Sequence, residues 1–212
     1  MLNNLILAVE DELSRAVGQK IAESKGWSIE RVFLKNGKSY LQSNFQVFCN
    51  VAKHTTVLLL VDLDSFSCAP SLLQKWTSGA QLPPTLFFRI AVREVESWLL
   101  ADHEAMKILL ETKGKLPLLP DILQDPKAEL LKLLRKINKY VREGVVRLDE
   151  GGIYQGLAYN AKLGEWVNEH WSPDRAAARS DSLNRLLARL SPNKVIIERE
   201  TNKNGEQSHA YQ

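Results

Sequence analysis

Over the first hundred residues, short apolar runs alternate with amphipathic stretches, and each run ends at a charged or turn-forming residue. Residues 5–9, Leu-Ile-Leu-Ala-Val, are continuously apolar up to Glu10, the pattern of a strand buried on both faces. Over 13–24 the apolar positions Leu13, Ala16, Val17 and Ile21 recur at helical spacing, and Gly26 stands where a helix stops. Residues 29–34 predict a second strand before the Asn36-Gly37 turn, and 39–52 a second helix. Residues 57–61 are all Val or Leu, a strong buried-strand signal that ends in Asp62-Leu63-Asp64. A short helix over 71–76, the Pro83-Pro84 break and a strand over 86–92 complete a β-α-β-α-β-α-β order. That alternation predicts an α/β fold with a mostly parallel sheet.

Beyond residue 93 the periodicity turns helical, over 94–110, 127–142, 160–170 and 174–190. A Pro-rich connector spans 114–126, and Gly151-Gly152 marks a turn. Pro173 suits a helix start, and Pro192 lies past a helix end. The last fifteen residues are polar and without apolar period, the mark of a frayed tail. The expected organisation is an α/β domain over 1–110, a helical extension packed on it over 111–195, and a polar tail over 196–212.

With 44% hydrophobic and 25% charged residues, the chain has ordinary globular composition, and 212 residues bury a core without staples. A net charge of +3 excludes an acidic disordered chain and a histone-like one, while leaving nucleic-acid contact open. Cys49 and Cys68 form no CxxC, which suits a reducing, cytoplasmic compartment. The run over 5–9 has no Lys or Arg before it and meets Glu10, Asp11 and Glu12, unlike a signal peptide. No apolar run reaches 18 residues, so no membrane span is expected.

The chemistry is expected at the carboxyl ends of the strands, where open α/β sheets form their crevice. Glu10 ends the first strand, Asp62 and Asp64 the third, and Glu94 and Glu96 follow the fourth. In extended backbone, residues i and i+2 face the same way, so Asp62 and Asp64 are expected to present two carboxylates together. Adjacent anions repel, and a hard divalent cation with oxygen ligands offsets them. Helix capping is the competing reading for Asp64, and for Asp11 or Ser14. Glu10 joins the pair if strands one and three are neighbours. Other catalytic patterns are absent: no GxSxG, no Walker loop, no second His to complete His103-Glu104, and no motif pairing His54, His103 or His170.

A strand ending in Glu, with a later strand ending in Asp-x-Asp, resembles the TOPRIM domain of topoisomerases, primases and OLD-type nucleases. The segments AVEDELSRAV at 8–17, VLLLVDLDSFSCAP at 57–70, RIAVREVESWLLAD at 89–102 and WSPDRAAARSDSLNRLLARL at 171–190 look like a family of small bacterial TOPRIM-like proteins. The resemblance covers about residues 5–190. It implies a TOPRIM-like Rossmannoid core, Mg2+ or Mn2+ held by Glu10, Asp62 and Asp64, and phosphodiester chemistry. It also implies an ABC-type or RecF-like ATPase partner and a place in anti-phage defence. Where the family's Glu is usually followed by Gly, this chain has Asp11-Glu12. Glu96, Trp98 and Asp102 match the third segment best. Glu96 completes the metal site or positions a water on one reading, and pairs with Arg89 or Arg93 on the other; Trp98 reads as core.

Residues 127–147 hold seven cations against Glu129 and Glu143. Of these, Lys132, Arg135, Lys136 and Lys139 are candidate phosphate contacts, or else a solvated helix face. Lys35 and Lys38 flank the turn after the second strand, and Arg179 lies in the fourth family-like segment; all three are further nucleic-acid candidates. The expected function is a Mg2+-dependent nuclease acting on DNA or RNA, with Glu10, Asp62, Asp64 and Glu96 at its centre. The alternative is a TOPRIM-shaped, non-catalytic subunit of an ATPase complex. A receiver-like phospho-acceptor is weaker, because its Lys on the last strand has no counterpart here.

Overall fold

Each of the four apolar runs is a strand. In the computed structural model the described residues are 3–34, 37–111 and 114–191. Lys35 and the expected tail at 196–212 lie outside them. Strands β1 (Asn3–Val9), β2 (Trp27–Leu34), β3 (Thr56–Asp62) and β4 (Leu86–Ala91) form one parallel sheet in the order β2-β1-β3-β4. The protein is therefore α/β with an all-parallel four-stranded sheet. The central strands are the continuously apolar ones: β3 is buried throughout and β1 from Leu5 onward. Alternation sorts their side chains. Leu5, Leu7, Val9, Leu58 and Leu60 serve one core, while Ile6, Ala8, Val57, Leu59 and Val61 serve the other.

Helix α1 (Glu12–Ser24) packs on the first face. Helices α2 (Gly37–Ser43), α3 (Phe45–Ala52) and α4 (Ala69–Thr77) pack on the second. Right-handed crossovers dictate this split, because the chain steps outward from β1 to β2 and then back across β1 to β3. That reversal puts a topological switch point between β1 and β3.

The rest of the chain comprises α5 (Val95–Ala101), α6 (His103–Leu109), a 3-10 turn (Pro120–Ile122), α7 (Pro126–Leu134), α8 (Asn138–Arg142), a hairpin of β5 (Val146–Asp149) and β6 (Gly152–Gln155), α9 (Tyr159–Glu169), α10 (Pro173–Ala177) and α11 (Asp181–Arg189). Its apolar faces join the α1 side of the sheet in one core. Trp98 and Trp171 are fully inside that core: the Trp171 indole donates to the Trp98 carbonyl at 3.1 Å, and the Trp98 indole to the Ser182 hydroxyl at 2.7 Å. Among the described residues no helix is long and apolar enough to cross a membrane.

Stretches expected as single helices are broken where side chains cap a new start. The 94–110 stretch divides at Asp102, whose carboxylate accepts from Ala105 N–H at 3.2 Å. The 174–190 stretch divides before Ser180, whose hydroxyl accepts from Leu183 N–H at 3.2 Å. Residues 39–52 divide at Asn44, and 127–142 between Leu134 and Asn138. The Gly151-Gly152 turn is the tip of the antiparallel hairpin, whose strands are too short and too exposed to show a period.

Candidate functional site: carboxylates at the switch point

Because β1 and β3 are hydrogen-bonded neighbours, Glu10 and Asp62 emerge side by side at the carboxyl end of the sheet. The Asp62 N–H donates to Glu10 Oε1 at 2.9 Å. Asp62 is 8% exposed, and its Oδ1 accepts from the N–H of Val95 at 3.0 Å. It thereby satisfies an orphan donor at the start of α5, which the side chain of Glu94 at the N-cap does not reach. The same bond sets where α5 begins, and with it Glu96 one residue later.

Burial lifts Glu10 to about 7, against the pull of the Asp62 N–H and of Lys38. Burial raises Asp62 well above the carboxylate range, and the charges of Glu96 and Glu10 push it further. Burial likewise lifts Glu96, 1% exposed, to about 7. The Tyr159 hydroxyl donates to Glu96 Oε1 at 3.0 Å. Burial and the Glu96 charge keep that phenol protonated. Glu96 Oε2 is buried with no hydrogen-bond partner.

Two ammonium groups flank the cluster. Lys127 reaches in from the first turn of α7, with its Nζ 3.4 Å from Glu96 Oε1 and 3.7 Å from Glu94 Oε1. Burial alone would lower its pKa; the charges of Glu96, Glu94 and Asp62 outweigh this and raise it. Lys38, on α2, donates to the Asp62 carbonyl and to Asp64 Oδ2, the latter at 2.6 Å. Lys38, expected as a nucleic-acid contact, is bonded to both residues of the Asp-x-Asp.

The expectation for Asp64 is corrected. Extended backbone ends at Asp62, and Asp64 adopts φ of 52°, so the i, i+2 alignment does not apply. Asp62 faces the interior, while Asp64 is exposed and paired with Lys38. The bridge from Glu96 to Arg89 or Arg93 gives way to the one with Lys127, because Arg93 turns its guanidinium to the carbonyls of Asp64 and Phe66, both at 3.0 Å. Asp11 has a local role: its extended backbone (φ −147°) needs no glycine, and its carboxylate caps α1 through Ser14 N–H at 2.7 Å. Trp98 is core, as expected.

A polar crevice of about 440 Å³ opens beside the cluster, with Asp64, Arg93, Glu94 and Asp125 in its walls. A second groove, of about 480 Å³ along β4, is largely apolar, with Leu73, Phe88 and Ile90 in its lining and none of the site carboxylates. Lys132, Arg135, Lys136 and Lys139 are exposed on and after α7, Lys132 lying 3.6 Å from Glu129. Arg179 is exposed and donates to the Ala101 carbonyl at 3.5 Å. Among the described residues, no hydrogen bond or ion pair joins these five to Glu10, Asp62 or Glu96.

Sequence reasoning placed Glu94 at a strand end and Lys127 in a basic stretch, and missed that the two meet. The Asp125-Pro126-Lys127 helix start was the available signal for Lys127. Tyr159 had none.

The donor set suits a hard cation. Glu10 and Asp62 each spend one oxygen on a backbone N–H and keep a second. Among the described residues no three His, Cys, Asp or Glu side chains stand close enough to hold an ion between them. Magnesium commonly takes only one or two carboxylates and keeps its waters, which the Glu10–Asp62 pair provides for. No family model matches the chain, nor does any curated protein or solved structure.

Proposed function

We propose that the chain is a TOPRIM-like, Mg2+-dependent nuclease whose cation is held by Glu10 and Asp62. The observation that carries this reading is the pair itself at the switch point: the half-buried Glu10, whose carboxylate accepts from the Asp62 N–H, and the buried Asp62, with the buried Glu96 following on α5. Burying anions together is costly, and folds keep such clusters where a cation or a shared proton offsets them. Bound there, magnesium supplies the positive charge that a phosphodiester needs at its non-bridging oxygens.

The chain's own residues do the rest. Glu10 and Asp62 fix the cation's place. Asp62 also anchors α5, so cation binding and the position of Glu96 are mechanically linked. Arg93 lines the crevice through which a phosphate approaches. The exposed cations Lys132, Arg135, Lys136 and Lys139 continue outward from α7 and suit a nucleic-acid backbone, giving salt-sensitive binding. Partnership with an ATPase in phage defence rests on the resemblance of the four segments alone. A non-catalytic role is the second reading, favoured by one observation: the second Asp of the Asp-x-Asp is tied to Lys38 and not free for a metal.

The test is cleavage of plasmid DNA and of total tRNA by the purified chain with Mg2+, Mn2+ or a chelator. The expected result is metal-dependent cutting that falls at least about 100-fold in Asp62→Asn and in Glu10→Gln, the scale of losing a metal's charge stabilisation. Equal cutting by wild type and both variants contradicts the reading. Cation binding without cutting of either substrate supports the regulatory alternative.

A further inference from the structure

Strand β2 lies at an edge: among the described residues its one strand neighbour is β1. At eight residues it is the longest strand of the sheet. An edge of that length offers a row of backbone donors and acceptors to another chain. Its start is fixed, because Trp27 is buried and its indole donates to the Leu190 carbonyl at 2.7 Å. Beyond Trp27 the strand is half-covered. Ile29, Val32, Phe33 and Leu34 are only partly buried, and Glu30 and Arg31 at the middle are exposed.

A register shift falls at that middle. Ile29 pairs with Leu5 and Arg31 with Ile6, which leaves Glu30 as the extra residue. The shift re-aims the side chains: Ile29 and Val32, three apart, both pack on the α1-side core, as do Trp27 and Leu34. Trp27 and Ile29 before the shift therefore mirror Leu34 and Val32 after it. Laid antiparallel against a second copy, the register that sets Glu30 opposite the partner's Arg31 also sets Ile29 opposite the partner's Val32, and Trp27 opposite the partner's Leu34. A two-fold axis repeats each pair. Apolar residues of one face then meet apolar residues of the same face, and the exposed charges meet with opposite sign. Slipping by one residue sets Glu30 against Glu30, or Arg31 against Arg31 with Ile29 facing Phe33 of the other core.

We propose that two copies of the chain associate through β2, antiparallel about a two-fold axis, joining two four-stranded sheets edge to edge with Glu30 of each copy against Arg31 of the other. Nothing in this pairing depends on a cation at Glu10 and Asp62. Because the paired strands run in opposite directions, the carboxyl ends of the two sheets face opposite ways, and each Glu10–Asp62 pair stays whole within its own copy.

The test is sedimentation velocity of the full chain over a concentration series, in wild type, Arg31→Glu, Glu30→Arg and the Glu30→Arg/Arg31→Glu double variant, with circular dichroism as the check on folding. Wild type is expected to dimerise reversibly. Each single reversal sets two like-charge pairs across the axis and is expected to raise the dissociation constant about tenfold or more. The double variant exchanges the two charges and is expected to restore the dimer, which a general loss of surface polarity does not do. A wild type that stays monomeric up to about 1 mM, a dimer indifferent to the single reversals, or a folded double variant that stays monomeric overturns the proposal. Amide hydrogen exchange over 28–33 gives a second readout in wild type alone. Protection that grows with protein concentration supports the dimer; protection independent of concentration means that the edge is covered within one chain, and overturns it.

Discussion

At the scale of single residues, Glu10 and Glu96 give the folded protein an unusual proton affinity. Both are lifted by burial from about 4.5 to about 7. Between those values the folded state binds more protons than the unfolded one, so the stability of the metal-free protein falls as pH rises through that window. Each unit of pKa shift corresponds to about 1.4 kcal/mol before solvent screening at the partly exposed Glu10 is discounted. The melting temperature of chelated protein is expected to drop by roughly 5–10 °C from pH 5 to pH 8. A differential scanning measurement at constant ionic strength checks this; a flat or rising profile contradicts it. Tyr159→Phe is expected to cost about 1–2 kcal/mol in urea denaturation, because it strips the one phenolic donor from a buried carboxylate. Little of this was legible in sequence. The positions of Glu10, Asp62 and Glu96 at or after strand ends were legible, but the orientation of Asp64 depends on a left-handed backbone angle that no periodicity reports.

At the scale of elements, the helix breaks carry the organisation. Asp102 is fully buried and accepts from Ala105 N–H, from Ser172 N–H at 2.8 Å, and from Arg175 Nε and Nη2 at 2.9 and 2.8 Å. It caps α6 and ties it to the start of α10. Asp102→Ala leaves a partly buried guanidinium and two backbone donors without that partner, and is expected to cost about 3 kcal/mol. Equilibrium urea unfolding reads this directly, and a loss under about 1 kcal/mol, the range of an ordinary surface pair, contradicts the assigned role. The apolar period runs unbroken through 94–110 and 174–190 because the helices on each side of a break pack on the same core. A period-based reading therefore merges them, although the capping residues Asp102 and Ser180 were present in the sequence. The strands were easier: a parallel sheet buried on both faces imposes continuous apolar runs, and each of the four runs lies within or overlaps its strand.

At the scale of the whole molecule, the site is assembled from both parts of the chain. Glu10, Asp62 and Glu96 come from the sheet and the helix after it, Lys127 and Tyr159 from α7 and α9. The α1-side core likewise joins Leu5, Leu7 and Leu58 to Leu130, Leu163 and Leu186. Residues 1–110 alone would expose that face, and such a fragment is expected to lack a cooperative thermal transition. A sharp, reversible transition in the fragment contradicts the shared core. The neighbourhood of β1 and β3, on which the adjacency of Glu10 and Asp62 depends, was a condition of the sequence reading and is met in the fold.

The most direct measurement is the melting temperature at pH 8 as Mg2+ is added, in wild type and in the Glu10→Gln/Asp62→Asn double variant. A ligand at ten times its dissociation constant stabilises by about 1.4 kcal/mol, or roughly 3–6 °C for a chain of this size. A saturable rise of that order in wild type, absent from the double variant, is the expected result. No rise in wild type, or the same rise in both, contradicts a cation at the Glu10–Asp62 pair.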